Sequence, residues 1–193
     1  VLPSHAQALR NNGGSGMALA MGVIAAQARF CQNQRNMELP LVELPESLFH
    51  AVLVSQQMQA GEQEQNSLAI AHARLRVAYG NHSNRFALLA QLASDGRAHD
   101  PEMLNVMQAG VSAFLSGLAH ATRQAREHVV LATFDPRMTR LALSLRAANV
   151  GPEHIILQLA CFHPDSATPH GYEFVDAHQA ALILAQAPLE VFG

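Results

Sequence analysis

Hydrophobic positions recur every three or four residues through the centre of the chain, which is the spacing of an amphipathic helix. The longest such face lies over residues 103–129. Its members are Met103, Met107, Val111, Phe114, Leu118, Thr122, Ala125 and Val129. Two shorter faces follow, one formed by Met138, Leu141, Ala142 and Leu145, the other by Ile155, Ile156, Leu159 and Phe162. The pattern predicts one long helix followed by two shorter ones.

Each of these three segments begins with a residue that precedes a proline, namely Asp100, Asp135 or Gly151. Proline suits the first position of a helix because its missing N–H is not needed there, and aspartate is a favourable residue just before it. We therefore expect Asp100 and Asp135 to cap helices. That role explains both carboxylates without any catalytic function.

The same periodicity continues on both sides of this central part. The other predicted helical segments are 17–34, 45–58, 68–79, 84–93 and 176–187. The sequence therefore predicts an all-α fold, a compact bundle of about eight helices. Because residues 11–16 read Asn-Asn-Gly-Gly-Ser-Gly, we expect 1–16 to be a flexible N-terminal segment, followed by a single helical domain over 17–193.

An α/β alternative concerns residues 129–162. Segments 129–134 and 154–162 are rich in branched side chains, and with a helix between them they would form a βαβ unit. Asp135 would then stand at the carboxyl end of a strand, where open α/β sheets bind ligands. The unbroken helical face before Val129 and the Gly-Pro start at Gly151 favour helices instead.

The composition predicts self-association. Apolar residues make up 49% of the chain and charged residues only 14%, which leaves apolar surface for a second subunit to cover. Some segments carry a second apolar stripe, such as Leu88 and Leu92 beside Phe86 and Leu89. We expect a homo-oligomer.

Charge and cysteine usage exclude several classes of protein. All 12 cationic residues are arginine, so lysine-dependent phosphate loops and Schiff-base chemistry are excluded. The net charge of −3 argues against nucleic-acid binding, and no apolar run approaches the length of a membrane span. Cys31 and Cys161 lie far apart, which favours reduced thiols and a cytoplasmic protein.

Four arginines form the densest basic group, namely Arg123, Arg126, Arg137 and Arg140. Cations in the first turn of a helix oppose its dipole, so Arg137 and Arg140 would stand where stability does not favour them. Guanidinium groups suit carboxylates and phosphates. We predict that the group contacts an acidic protein segment or a small anion.

A metal site is the alternative use of the C-terminal region. The candidate ligands are Cys161, His163, Asp165, His170 and His178. Their atoms suit zinc, but the loop spacing is weakly specific, and ordinary surface histidines explain the same residues. No cofactor is predicted, and zinc remains the alternative.

Taken together, these features predict a non-catalytic helical interaction or regulatory module. No nucleophile elbow or selected Ser–His pair gives positive evidence for an enzyme. The predicted partners are a second copy of the chain and an acidic segment or small anion, with neither nucleic acid nor membrane. The alternative is a sensor or enzyme that binds a small molecule or a metal with the region 163–178.

Overall fold

A computed structural model describes residues 14–61, 63–80, 84–95 and 100–186, and this part of the chain contains helices and no strand. The α-helices are α1 (Gly14–Arg35), α2 (Glu46–Gln59), α3 (Gln65–Gly80), α4 (Arg85–Ser94), α5 (Val106–Ala109), α6 (Val111–Thr122), α7 (Arg126–Ala132), α8 (Thr139–Ala147), α9 (Pro152–Phe162) and α10 (Ala177–Gln186). Short 3-10 helices cover Leu41–Glu43 and Tyr172–Phe174. The predicted all-α bundle is confirmed, and the βαβ alternative is wrong because its two strand segments lie in α7 and α9. No helix in the described ranges is both long and apolar enough to cross a bilayer.

The chain divides into two compact units. Among the described residues, the N-terminal unit ends at Leu88 and the C-terminal unit begins at Leu89. The division lies inside α4, and the single helical domain over 17–193 stays a prediction. Helix α1 begins at Gly14, so the last part of the predicted flexible segment is helical, whereas residues 1–13 lie outside the described residues.

Helix α8 lies at the centre of the C-terminal unit. It packs against α6, α7, α9, α10 and the second 3-10 helix. Leu141, Ala142, Ser144 and Leu145 are completely buried, so this short helix is surrounded on most sides. The predicted inner face of this segment is confirmed, because Met138 is also only 1% exposed.

The predicted long helix over 103–129 is divided into α5, α6 and α7. Gly110, with φ 76°, ends α5, and Arg123, with φ 55°, ends α6 in the left-handed region. Four members of the predicted face are buried, so the separate helices contribute to one core, namely with Met103, Phe114, Leu118 and Val129. The register nevertheless changes, since Val106 is buried while Met107 is 76% exposed.

The prediction that Asp100 and Asp135 cap helices is wrong. In both, the carboxylate Oδ1 accepts a hydrogen bond from the backbone N–H two residues later, at 3.0 Å for Asp100 and 2.9 Å for Asp135. The helices begin further on, at Val106 and Thr139. Aspartate before proline forms a local turn here, which is the other common use of its side chain. At Gly151 the predicted start is confirmed, and α9 begins with the proline that follows.

The N-terminal unit has a thinner core. Its buried apolar side chains come from α1 and α2 and are Leu19, Ala20, Val23, Ala26, Phe49 and Leu53. The buried polar side chains of this unit are His72 and Arg85. The second apolar stripe predicted over Leu88 and Leu92 is not free for a partner at Leu92. That side chain is 6% exposed and belongs to the core of the C-terminal unit.

Candidate interaction surface and ligand cavity

Helix α3 is attached to the rest of the N-terminal unit by one side. The Tyr79 ring stacks on Phe49 with centroids 4.2 Å apart, and its hydroxyl donates to the Leu44 carbonyl at 3.1 Å. Burial raises the pKa of Tyr79 above its ordinary value, so the hydroxyl remains a donor. His72 is 2% exposed, and its Nε2 lies 3.1 Å from Gln56 Oε1, within hydrogen-bond distance.

The opposite side of α3 is an exposed apolar face. Ile70, Ala73, Arg74 and Val77 follow each other at helical spacing, and Ile70 and Val77 are 59% and 65% exposed. A shallow groove of about 380 Å³ lies along the second half of this face, and Ala78 completes its lining. We call these five residues the α3 face.

Helix α3 buries unusually few side chains for a helix of its length. All 16 residues of α3 are described, and His72 alone among them is buried. Helices in proteins gain most of their stability by packing an apolar face, and an isolated helix of this length is marginal in water. Helix α3 therefore obtains little packing from the α3 face.

A cavity of about 550 Å³ opens in the C-terminal unit, between the start of α5 and the turn that joins α8 to α9. Its apolar wall consists of Pro101, Leu104, Ala148 and Val150. Leu104 and Ala148 are each 5% exposed, so these two residues of the wall belong to the packed core. The volume lies within the range of pockets that hold small molecules.

Polar side chains line the remainder of the cavity. They are Asn105, Asn149, Glu153, His154 and Gln158. Gln158 is 3% exposed, and its Oε1 accepts a hydrogen bond from the backbone N–H of Val106 at 2.8 Å. Asn105 Oδ1 accepts from a backbone N–H of α5 at 3.0 Å. Both carbonyl oxygens accept a backbone hydrogen bond, so each amide has its NH₂ group left for a further one.

The turn between α8 and α9 is held from two sides. Asn149 has φ 64°, and Val150 donates its N–H to the Leu145 carbonyl at 3.0 Å. Arg146 donates through Nη1 to the Val150 carbonyl at 2.9 Å, and through Nε and Nη2 to the Val175 carbonyl at 3.0 and 2.8 Å. One guanidinium thus fixes the cavity wall to the segment before α10.

Glu153 gives the cavity rim a negative charge. A hydrogen bond from its own backbone N–H, followed by one from His154, lowers the pKa of the Glu153 carboxyl below its ordinary value. The His154 Nδ1 to Glu153 Oε1 distance is 3.1 Å, and both side chains are exposed. The carboxylate is therefore ionised at neutral pH.

The predicted arginine group lies in environments of two kinds. Arg123 and Arg137 are exposed, whereas Arg126 and Arg140 are half-buried. Arg126 is the first residue of α7, and its Nε donates to Ser116 Oγ at 3.1 Å. Arg137 precedes α8 rather than lying in its first turn, so the dipole argument holds only for Arg140. The partner contact of this group stays a prediction.

The residues proposed for zinc are not assembled into a ligand set. Within the described part of the chain, no three His, Cys, Asp or Glu side chains are close enough to hold a metal ion. His163 meets the Thr133 carbonyl at 2.7 Å, and Cys161 donates to the Leu157 carbonyl at 3.3 Å. Asp165, His170 and His178 are exposed.

Sequence reasoning missed both the α3 face and the cavity. A signal for the first was available, because Ile70, Ala73 and Val77 form a second helical stripe on α3. A signal for the second was Gln158, a polar residue next to Leu159 on the inward side of α9. No protein family model, curated protein or solved structure matches this chain.

Proposed function

We propose that the chain is a non-catalytic helical interaction module that self-associates through the α3 face. The observation that carries this proposal is the exposure of Ile70 and Val77 on a helix that buries only His72. A partner on this face would supply the packing that α3 lacks.

A second copy of the chain fits the α3 face by its geometry. Two antiparallel α3 helices related by a two-fold axis between Ala73 and Arg74 would place Ile70 of each copy opposite Val77 of the other. Ile70 would then lie over the groove along the second half of the partner helix. The small side chains of Ala73 and Ala78 leave room for this approach. The charged residues of α3 are Arg74 and Arg76, so this arrangement includes some repulsion between like charges of the two copies.

The sharpest test of self-association is Ile70→Asp. The change removes the packing of Ile70 on the partner's Val77 and places a charge that must be desolvated in the contact, so we expect at least a tenfold weaker dimer, about 1.4 kcal/mol. Sedimentation velocity at about 50 μM protein measures the fraction of dimer. Ile156→Asp is the matched control, because Ile156 is a similarly exposed isoleucine, 47% against 59%, on α9 in the other unit.

A monomeric wild-type protein at this concentration would rule the proposal out, as would equal loss of dimer in both variants.

The salt dependence of binding distinguishes a second copy of the chain from an acidic partner on the α3 face. The two-fold axis brings the two Arg74 side chains near each other, so added salt should strengthen the dimer. An acidic partner on the same arginine would bind less tightly as salt is added.

We also propose a cytoplasmic location for this module. Cys31 and Cys161 are both free and exposed, and reducing compartments keep such thiols from pairing. Labelling of the protein from its native cells with a thiol reagent before lysis tests this proposal. Recovery of either cysteine in an oxidised form would contradict it.

A further inference from the structure

The cavity in the C-terminal unit is formed before any ligand enters it. Its turn is held by Arg146, and its two helical walls are joined by the hydrogen bond between Gln158 Oε1 and the Val106 N–H at 2.8 Å. A ligand would therefore meet groups whose positions are already fixed, which lowers the entropic cost of binding.

The interior of the cavity offers hydrogen-bond donors. Gln158 is only 3% exposed. When a ligand displaces water from the cavity, the NH₂ group of this side chain needs a new acceptor. Asn105 offers a second NH₂ group, because its Oδ1 is engaged by the α5 backbone. A carbonyl or hydroxyl oxygen of a ligand would satisfy these donors.

The rim of the cavity selects against anions. The N-terminus of a helix usually attracts an anion, but at α9 the carboxylate of Glu153 already accepts the hydrogen bond of its own N–H. A free phosphate or carboxylate at the rim would meet this negative charge. A ligand ammonium group would instead gain a charged hydrogen bond with Glu153.

We propose that this cavity binds a small molecule with an ammonium group beside a neutral carbonyl oxygen, the chemistry of amino-acid amides. The carbonyl oxygen accepts from Gln158 and Asn105. The ammonium group donates to Glu153, and an aliphatic side chain packs on Leu104 and Val150. This site is independent of the α3 face.

The test uses the full chain and ligand-observed NMR with the amides of the common L-amino acids, each compared with its analogue that lacks the amino group. L-Leucinamide and 4-methylpentanamide are the central pair. We expect the amide with the ammonium group to bind about tenfold more tightly than its analogue, the effect of one charged hydrogen bond.

The matched pair of variants is Glu153→Gln and Glu127→Gln. Both glutamates are exposed and lie in the first turn of a helix, but only Glu153 lines the cavity. Glu153→Gln should remove the preference for the ammonium group, and Glu127→Gln should keep it. The proposal is overturned if no amide binds up to about 10 mM, if each analogue binds as tightly as its amide, or if both variants behave alike.

Discussion

Replacing Leu141 by alanine is expected to lower the free energy of unfolding by about 2–5 kcal/mol. Leu141 is completely buried in α8, which packs against most helices of the C-terminal unit. Its truncation removes apolar contacts and leaves a cavity. Because the site is enclosed and closely packed, the surrounding side chains cannot move to fill that cavity. Urea denaturation followed by circular dichroism measures the loss.

Leu143→Ala is the control within the same helix. Leu143 is half-buried, so the same chemical change should cost less, about 1 kcal/mol, because neighbouring groups and water can fill the space. Equal losses for the two variants would show that α8 is not oriented as described. An unchanged midpoint for Leu141→Ala would exclude a central role for this helix.

The inner face of α8 could be predicted from the sequence because its signal is local. Met138, Leu141, Ala142 and Leu145 have helical spacing, and a helix in a folded protein has to bury its apolar stripe somewhere. All four are at most 1% exposed. The prediction needed no knowledge of what α8 packs against.

The breaks in the segment 103–129 could not be predicted in the same way. Arg123 adopts a left-handed conformation, which a non-glycine residue rarely takes, and its sequence gives no sign of it. Gly110 was a weaker signal, since an isolated glycine is tolerated inside a helix at modest cost. A continuous hydrophobic period therefore predicts a shared core, and a single straight helix is only one way to form it.

The cavity depended on contacts between distant parts of the chain. Gln158 and Val106 are separated by 52 positions, and their hydrogen bond exists only because α5 and α9 meet.

The prediction that Asp100 and Asp135 cap helices was wrong for a related reason. The Asp-Pro pair is compatible with a cap or a turn, and the packing of the following helix decides between them.

The buried ion pair of the N-terminal unit should give the other large loss of stability. Arg85 is 5% exposed, its Nε lies 3.0 Å from Glu43 Oε2, and its guanidinium lies 3.9 Å from the Phe30 ring centroid and 4.5 Å from that of Phe86. Arg85→Met keeps the apolar stem but leaves the Glu43 carboxylate without this partner. We expect a loss of about 3–5 kcal/mol, because an uncompensated buried charge is costly.

The double variant Arg85→Met with Glu43→Leu separates the ion pair from the packing around it. When both charges are replaced by apolar groups of similar size, no charge remains to be desolvated, and most of the lost stability should return. Denaturation of the two variants at high and low salt completes the test. The pair is nearly excluded from water, with side-chain exposures of 6% and 11%. Salt should therefore change the difference in unfolding free energy between the two variants little. If the double variant is as unstable as Arg85→Met, the arginine acts through its other contacts, such as those with the rings of Phe30 and Phe86, and the ion pair contributes little.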